Sequence, residues 1–490
     1  MSDRVSWDAL TSTALVGTDR RPYQGSLLED AAVEVARRRA GRGPVTGGAP
    51  EDGGHGHVPV GDAPEQGRIE GGGRAHGHPG EAAEQGRIED GGRAPEEEQA
   101  AVARPAADRL ATIMAGQHER LLPEWLAEAA RGGRRVPPFV LPELLDRGRR
   151  DRSIRAHLGV LAGQRGRWLA GHNPAWAYLL EEPTGETWEL GGTADRRAHL
   201  RRLRTSDPKA ARELLEGTWE QETPQDRAEF VGVLAAGLSM DDEPFLEHAL
   251  DDRRLEVRQQ AANLLTRLPG SGLAGRMAAR ARDCVTITGG TIAVEAPEAC
   301  DRAMERDGIR PKPPRGTGER AWWLQQVIAR APLAIWERPP DTLLAMRIPE
   351  WDAEMKAGWM RAAVLQRDPE WARAMFAWDP IADLLEALGP EEQQRLAADF
   401  VKRHDLDSQL IMVLGGVSPH WREELATAVL RKILKVAGSQ PWNLGELVRL
   451  AGERIDPGLA DLAGRYSPEP PVQEVAALLR FRADMIKELT

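Results

Sequence analysis

The residues best suited to binding charged groups lie in one short stretch, DRRAHLRRLR, at residues 195–204. A planar guanidinium group pairs well with a carboxylate or a phosphate. On a helix these arginines would surround an apolar line through Ala198, Leu200 and Leu203. The stretch therefore predicts either a solvated helix face or a surface that binds an acidic protein or a nucleic acid. Its arginines are Arg196, Arg197, Arg201, Arg202 and Arg204.

Two other stretches supply candidate surface residues. Asp19 and Arg20 lie in GTDRRP, which reads as a loop between two helices, and loops concentrate functional groups. An enzymatic site and a salt-linked turn are both compatible with this pattern, and the turn is favoured. Trp168 and Asn173 lie in LAGQRGRWLAGHNPAWAYL. We expect an interaction surface if these four residues and the arginine stretch converge on one concave face.

Histidine pairs at 55–57 and 76–78, each reading HGH, raise the question of a metal site. Glycine-rich chain separates them, and a metal site needs ligands that are held in fixed geometry by their surroundings. We therefore predict no physiological metal and no cofactor. Phosphate-binding loops, dinucleotide fingerprints, serine-hydrolase elbows and zinc-protease motifs are also missing from the sequence. These observations favour a non-enzymatic protein and leave catalytic residues unassigned.

Charge is distributed unevenly along the chain, whose net charge is -11. Residues 131–204 hold fifteen arginines and eight acidic residues, whereas residues 41–104 hold six arginines and twelve acidic residues. The acidic tract is rich in Gly and Pro and has too few large apolar residues to offset the entropy of ordering, so it is predicted to be a disordered linker. No run of about 18 apolar residues occurs, which predicts a cytoplasmic protein.

Tryptophan is concentrated in one part of the chain, where seven of the fifteen fall within fewer than sixty residues. A platform for sugar binding and helix packing are the two explanations, and packing is favoured because most of these residues lie in amphipathic runs. The seven are Trp322, Trp323, Trp336, Trp351, Trp359, Trp371 and Trp378. The two cysteines, Cys284 and Cys300, are predicted to be reduced thiols.

Helical periodicity returns after Pro105 and dominates the rest of the chain. Asp207 and Asp368 each precede a proline, which is a strong helix-start signal. One stretch, residues 284–296, alternates in the β pattern around Gly289-Gly290 and predicts a hairpin. The predicted segments are an N-terminal helical piece (1–40), the linker (41–104), a helical region (105–283), the hairpin with a Pro-rich connector (284–318) and a second helical region (319–490).

Recurring helix pairs point to a repeat architecture. ALDDRRLEVRQQAANLLTRLP, which ends at Pro269, resembles a HEAT-repeat unit, with its Asp-rich turn, alanine pair and Leu-rich second helix. The predicted fold class is all-α, a HEAT-like α-solenoid in two halves with a small β-hairpin near 284–296.

Three stretches together resemble an uncharacterised bacterial family, a domain-of-unknown-function group. They are WDALTSTALVGTDRRP near the start, LAGQRGRWLAGHNPAWAYL, and MDDEPFLEHALDDRRLEVRQQAANLLTRLP. Members are often encoded beside a MoxR-type AAA+ ATPase, a von Willebrand factor A protein and a SWIM zinc-finger protein. The resemblance implies a partner role beside such an ATPase and von Willebrand A protein, and the tract at 41–104 looks like an insertion.

Function is accordingly predicted in two forms. The first is a non-enzymatic scaffold or adaptor that binds proteins through an extended helical surface. The alternative is a nucleic-acid-binding helical-repeat protein that uses the basic region at 131–204.

Overall fold

A computed structural model describes residues 96–180, 188–189, 191–439 and 442–490. The predicted N-terminal helices, the histidine pairs and nearly all of the acidic tract lie outside these ranges. The described chain forms two compact units, one of residues 96–180 with the last three residues, and one that runs to residue 487. In the described ranges the secondary structure is helical apart from one two-stranded sheet and isolated bridges.

The first unit contains five α-helices joined by short 3-10 turns. Its interior is built from large apolar side chains, among them Trp125 and Trp176, which are fully buried. The Trp176 indole donates to the Asp146 carboxylate at 2.9 Å. The helices are α1 (Arg104–Met114), α2 (Leu122–Arg131), α3 (Leu141–Arg150), α4 (Arg155–Leu161) and α5 (Gly163–His172).

The second unit begins with six helices and the hairpin. Within it α6 packs on α7 and α8, and α8 packs on α10, so neighbouring helices in the chain are also neighbours in space. These elements are α6 (Thr193–Ser206), α7 (Pro208–Thr218), α8 (Pro224–Val233), α9 (Glu243–Ala249), α10 (Leu255–Leu265), α11 (Gly272–Cys284), β1 (Val285–Thr288) and β2 (Thr291–Val294).

The remaining helices of this unit continue the pattern. α13 packs on α11 and α15, and α18 packs on α20. They are α12 (Arg302–Arg306), α13 (Glu319–Arg330), α14 (Pro340–Ala345), α15 (Asp352–Gln366), α16 (Pro369–Trp378), α17 (Ala382–Leu385), α18 (Pro390–Arg403), α19 (Ser408–Gly416), α20 (Glu423–Ala437), α21 (Leu444–Arg454), α22 (Ala460–Tyr466) and α23 (Pro470–Leu489).

Both helix starts predicted from Asp-Pro pairs are confirmed. The Asp207 carboxylate accepts from the backbone N–H of Ala210 at 2.9 Å at the start of α7, and Asp368 accepts from Trp371 at 3.0 Å at the start of α16. Each carboxylate satisfies one of the N–H groups that a first helical turn leaves unpaired.

The predicted hairpin is also confirmed. β1 and β2 pair antiparallel, with Val285 opposite Val294, and Gly289 at the turn has a φ of +57°, a conformation that favours glycine. Ile292 is fully buried, and its backbone N–H donates to the Arg347 carbonyl at 2.9 Å. A lone hairpin is marginally stable, so this burial against helical chain holds it in place.

The tryptophan cluster is mainly core. Trp323, Trp336, Trp359 and Trp371 are buried, and the ring of Trp359 lies 5.7 Å from that of Trp336 and 5.6 Å from that of Trp371. Trp378 is the exception, since 46% of its surface is exposed. Packing therefore explains most of the concentration of indoles.

The predicted hairpin and Pro-rich connector, residues 284–318, lie within the second compact unit, and the two units separate near residue 181. Ile292 in the hairpin and Ile309 in the connector are fully buried, and the apolar core continues through both. Residues 284–318 thus join the helical regions on either side of them into one core.

Candidate functional site

The arginine stretch forms helix α6, and its side chains have different environments. Leu200 is fully buried in the core of the second unit, which fixes the rotation of the helix. Leu203 is half-buried and Ala198 is exposed, so the predicted apolar line is confined to the two leucines. The arginine side chains project from the helix on either side of these two leucines.

Arg196 is held by charge and by aromatic rings. Its guanidinium donates to both carboxylate oxygens of Glu222, one of them at 2.8 Å. It also lies over the ring of Trp188, 4.4 Å from the centroid, and 5.2 Å from that of Phe230. Since Glu222 is buried, this pair links α6 to the segment before α8 and leaves Arg196 little freedom for a partner.

Arg197 and Arg201 line a pocket between α6 and α8. The pocket has a volume of about 300 Å³. Across it, the Nη1 of Arg197 on α6 donates to the carboxylate of Glu229 on α8 at 2.7 Å. The rest of the lining is small and apolar: Gly232, Val233, Ala235 and Ala236.

Charge in the pocket is not balanced. Glu229 neutralises Arg197, whereas Arg201 is exposed and forms no ion pair with any residue in the described ranges. A Cβ at Gly232 would meet no atom within 4 Å, which shows that the pocket is open at this point. The pocket thus combines one uncompensated guanidinium with an apolar wall.

Arg202 is exposed on the same helix, next to His199. Its Nη2 lies 3.5 Å from the Nδ1 of that imidazole. Burial, followed by the nearby charge of Arg202, lowers the pKa of His199, so the imidazole is neutral at pH 7. Arg201 and Arg202 are the exposed arginines of the stretch.

Arg204 was included in the candidate surface, and the structure corrects this assignment. Its side chain is fully buried, and Nη1 donates to Asp242 Oδ1 at 3.0 Å. Its other acceptors are the backbone carbonyls of Pro208, Leu234, Ala236 and Gly237. A guanidinium that is enclosed by one carboxylate and four carbonyls holds the fold together and cannot contact a partner.

The pKa of Asp242 is lowered by some of the same contacts. Burial alone would raise the pKa of this carboxyl, but hydrogen bonds from Arg204, the Ser239 N–H and Arg212 outweigh that effect and hold the pKa below its usual value. Asp242 also completes a capping box with Ser239 in the 3-10 turn before α9. It therefore both caps that turn and neutralises Arg204.

The other candidate residues do not join this pocket in the described structure. Trp168 and Asn173 belong to the first unit, and Asp19 and Arg20 lie outside the described residues. The Asn173 side chain accepts from the Ala175 N–H at 3.0 Å and caps a 3-10 turn, while Trp168 is half-buried against His172, with ring centroids 4.4 Å apart. Asn173 therefore has a local structural role.

The apolar wall of the pocket was not predicted from the sequence. Gly232, Ala235 and Ala236 recur at helical spacing in EFVGVLAAG, and small residues at that spacing allow close approach or leave open space. The spacing of these small residues is visible in the sequence. The structure places Arg197 and Arg201 opposite them, which shows that they line a pocket and not a tight helix contact.

Chemically, the pocket offers charge and apolar contact. Its one carboxylate, that of Glu229, is engaged by Arg197. A ligand that places an acidic group on Arg201 and an aliphatic part on Val233 would fit these groups.

Three further findings concern the described ranges. No group of three or more His, Cys, Asp or Glu residues lies close enough there to hold a metal ion. None of the helices there combines the length and the apolar composition that a bilayer-spanning segment needs. Cys284 and Cys300 are both free thiols.

Comparison with known proteins identifies a family. The sequence model of a family of unknown function, DUF5691, matches residues 69–489, so the chain belongs to that family. The match begins within the acidic tract, and the first of the three stretches that carried the resemblance precedes it. No curated protein and no solved structure matches the chain.

Proposed function

We propose that this member of the DUF5691 family is a non-enzymatic adaptor that binds other proteins, and that its pocket between α6 and α8 receives an acidic side chain of a partner. The observation that carries the proposal is the exposed, uncompensated guanidinium of Arg201 beside an apolar wall. An aspartate or glutamate of a partner would supply both the negative charge and the aliphatic carbons that this lining suits.

The architecture we propose around the pocket is a HEAT-like α-solenoid. Support comes from the packing of α6 on α8 and of α8 on α10, in which successive helices bury a continuous core. Repeats of this kind present extended surfaces, which suit an adaptor. The partners we propose are the MoxR-type ATPase and the von Willebrand A protein that the family resemblance implies.

Nucleic acid is the alternative ligand for the same helix. Ion pairs with Glu222, Glu229 and Asp242 remove three of the five positive charges in α6. Phosphate backbones are bound through several uncompensated cations, and a helix on which carboxylates engage three of the five arginines provides few. The charge balance of α6 therefore favours a protein partner.

The test compares charge reversals on two surfaces. Full-length protein and the variant R201E/R202E would be purified through a tag from the native cell, and bound proteins would be quantified by mass spectrometry. The control R253E/R254E makes the same change of charge at exposed arginines just before α10. We expect R201E/R202E to lose the bound ATPase or von Willebrand A protein by tenfold or more, and the control to keep it.

Two results would count against the proposal. Equal recovery of partners with both variants would show that the pocket is not the interface. A DNA or RNA affinity that falls steeply with salt and disappears in R201E/R202E would assign the helix to nucleic acid.

A further inference from the structure

Buried carboxylates of the second unit are paired with arginines at two places. Arg204 donates to Asp242, and Arg276 and Arg280 donate to the buried Asp307 at 2.7 and 2.6 Å. Burying a charge without such a partner is costly. A buried arginine with no carboxylate is therefore informative.

Arg330, the last residue of α13, is such a residue. Only 7% of its surface is exposed, and Nη2 forms its one hydrogen bond, at 3.4 Å to the amide oxygen of Asn263. Its Nε is buried and has no hydrogen-bond partner among the described residues. The guanidinium thus keeps unused donors in a site that remains slightly open to solvent.

The charged groups that act on Arg330 are cations. Burial, and then the charges of Arg361 and Arg310, lower the pKa of Arg330 to about 10. Within the described ranges none of the three arginines forms an ion pair with a carboxylate. The three guanidinium groups therefore give the site an uncompensated charge of about three.

Neutral amides hold two of these cations in position. Arg310 donates to the side chain of Gln259, which precedes Asn263 by one turn on α10. Cβ atoms one turn apart on a helix lie about 5–6 Å from each other, so the two amides that these guanidinium groups contact are neighbours on one face of α10. The backbone of Arg310 is fixed as well, since its N–H donates to the Gln326 side chain at 2.8 Å and its carbonyl accepts from it at 3.1 Å.

The third cation is brought to the site by a close helix contact. A Cβ at Gly358 on α15 would lie 2.7 Å from the side chain of Ile328 on α13, so the absence of a side chain allows the two helices to approach. Arg361 follows Gly358 by three residues and lies on the same face of α15, the helix that packs on α13. Arg310 and Arg361 are both exposed, which gives a ligand access.

We propose that Arg310, Arg330 and Arg361 form a binding site for a doubly charged tetrahedral oxyanion, namely phosphate or a phosphate monoester. A guanidinium group can donate two parallel hydrogen bonds to the oxygens of one phosphate. A phosphate monoester supplies close to two negative charges and three acceptor oxygens. A carboxylate supplies one charge and two oxygens, and would leave most of the cationic charge uncompensated. This site is independent of the proposed protein-binding pocket.

Inorganic phosphate is the probe for the test. Thermal unfolding of the full chain would be followed at pH 7.5 and constant ionic strength, with phosphate, acetate or chloride varied at low millimolar concentration. Calorimetric titration would give the affinity. We expect a saturable rise in Tm with phosphate and none with acetate or chloride.

The variants R330M, R310Q and R361Q assign the effect to the site. R330M should lose the phosphate-dependent rise in Tm and, without phosphate, should be at least as stable as the parent because it removes a buried unpaired charge. R310Q and R361Q change exposed residues, so they should fold normally and bind phosphate at least fivefold more weakly. R253Q, which changes an exposed arginine just before α10, is the control and should bind phosphate as the parent does.

Three results would overturn the proposal. One is phosphate affinity that is the same in the parent, R310Q and R361Q. Another is a rise in Tm with acetate as large as that with phosphate, which would exclude the phosphate class. The last is an absence of any saturable effect of phosphate on the parent.

Discussion

The contact between Arg204 and Asp242 makes a quantitative prediction for the substitution R204M. Both side chains are fully buried, and methionine would leave the Asp242 carboxylate with Arg212 and the Ser239 N–H as its remaining partners. The carbonyls that Arg204 satisfies would lose a donor as well. Removing one member of a buried ion pair costs about 3–5 kcal/mol, which is a large part of the roughly 5–15 kcal/mol that stabilises a typical protein.

Urea unfolding at pH 7, followed by far-UV circular dichroism and tryptophan fluorescence, measures this effect. R201M is the matched control, because the same substitution is made at an exposed position of the same helix, where the cost should be within about 0.5 kcal/mol. We expect R204M to be less stable than R201M by about 3 kcal/mol or more. A difference below about 1 kcal/mol would refute the assignment of Arg204 as the residue that joins α6 to the segment before α9.

Three further predictions concern pH, the hairpin and the thiols. The pKa of Asp242 is lower in the folded than in the unfolded protein, so its ionisation stabilises the fold above about pH 4, and this stabilisation is lost as the pH falls through the folded pKa. In D242N the free energy of unfolding should therefore depend less on pH between pH 5 and pH 3. A pH dependence equal to that of the parent would contradict this. G289V should destabilise the protein by about 1–2 kcal/mol in thermal unfolding, because Gly289 has a positive φ. The control G290A should have a small effect, because Gly290 has no positive φ. Equal losses in the two variants would refute the turn assignment. Burial raises the pKa of the Cys284 and Cys300 thiols to about 11. At pH 8 both thiols should therefore be alkylated at least tenfold more slowly in the folded protein than in the protein unfolded by urea. Equal rates would show that the thiols are accessible in the folded protein.

Local elements of the fold were predictable because their signals are local. An aspartate before a proline specifies the starts of α7 and α16, and alternation around two glycines specifies the hairpin. The helical stretch EVRQQAANLLTRLPG is local in the same way, since its apolar residues at helical spacing are all buried. They are Val257, Ala261, Leu264, Leu265 and Leu268.

Environments set by distant residues were not predictable. Arg201 and Arg204 belong to one arginine-rich stretch, yet one is exposed and the other is enclosed through Asp242, which lies 38 residues further along the chain. The Pro-rich connector looked like a boundary because of its composition. Instead Ile309 is buried, and the Trp323 indole donates to the Pro311 carbonyl at 2.9 Å, which ties the connector to α13.

The proposal that the pocket between α6 and α8 binds an acidic partner is tested most directly by the recovery of partners from the native cell with R201E/R202E and R253E/R254E. The adaptor account predicts that the first variant loses the ATPase or von Willebrand A protein by tenfold or more while the second retains it. Equal recovery with both variants, or recovery of the parent protein alone, would contradict the account.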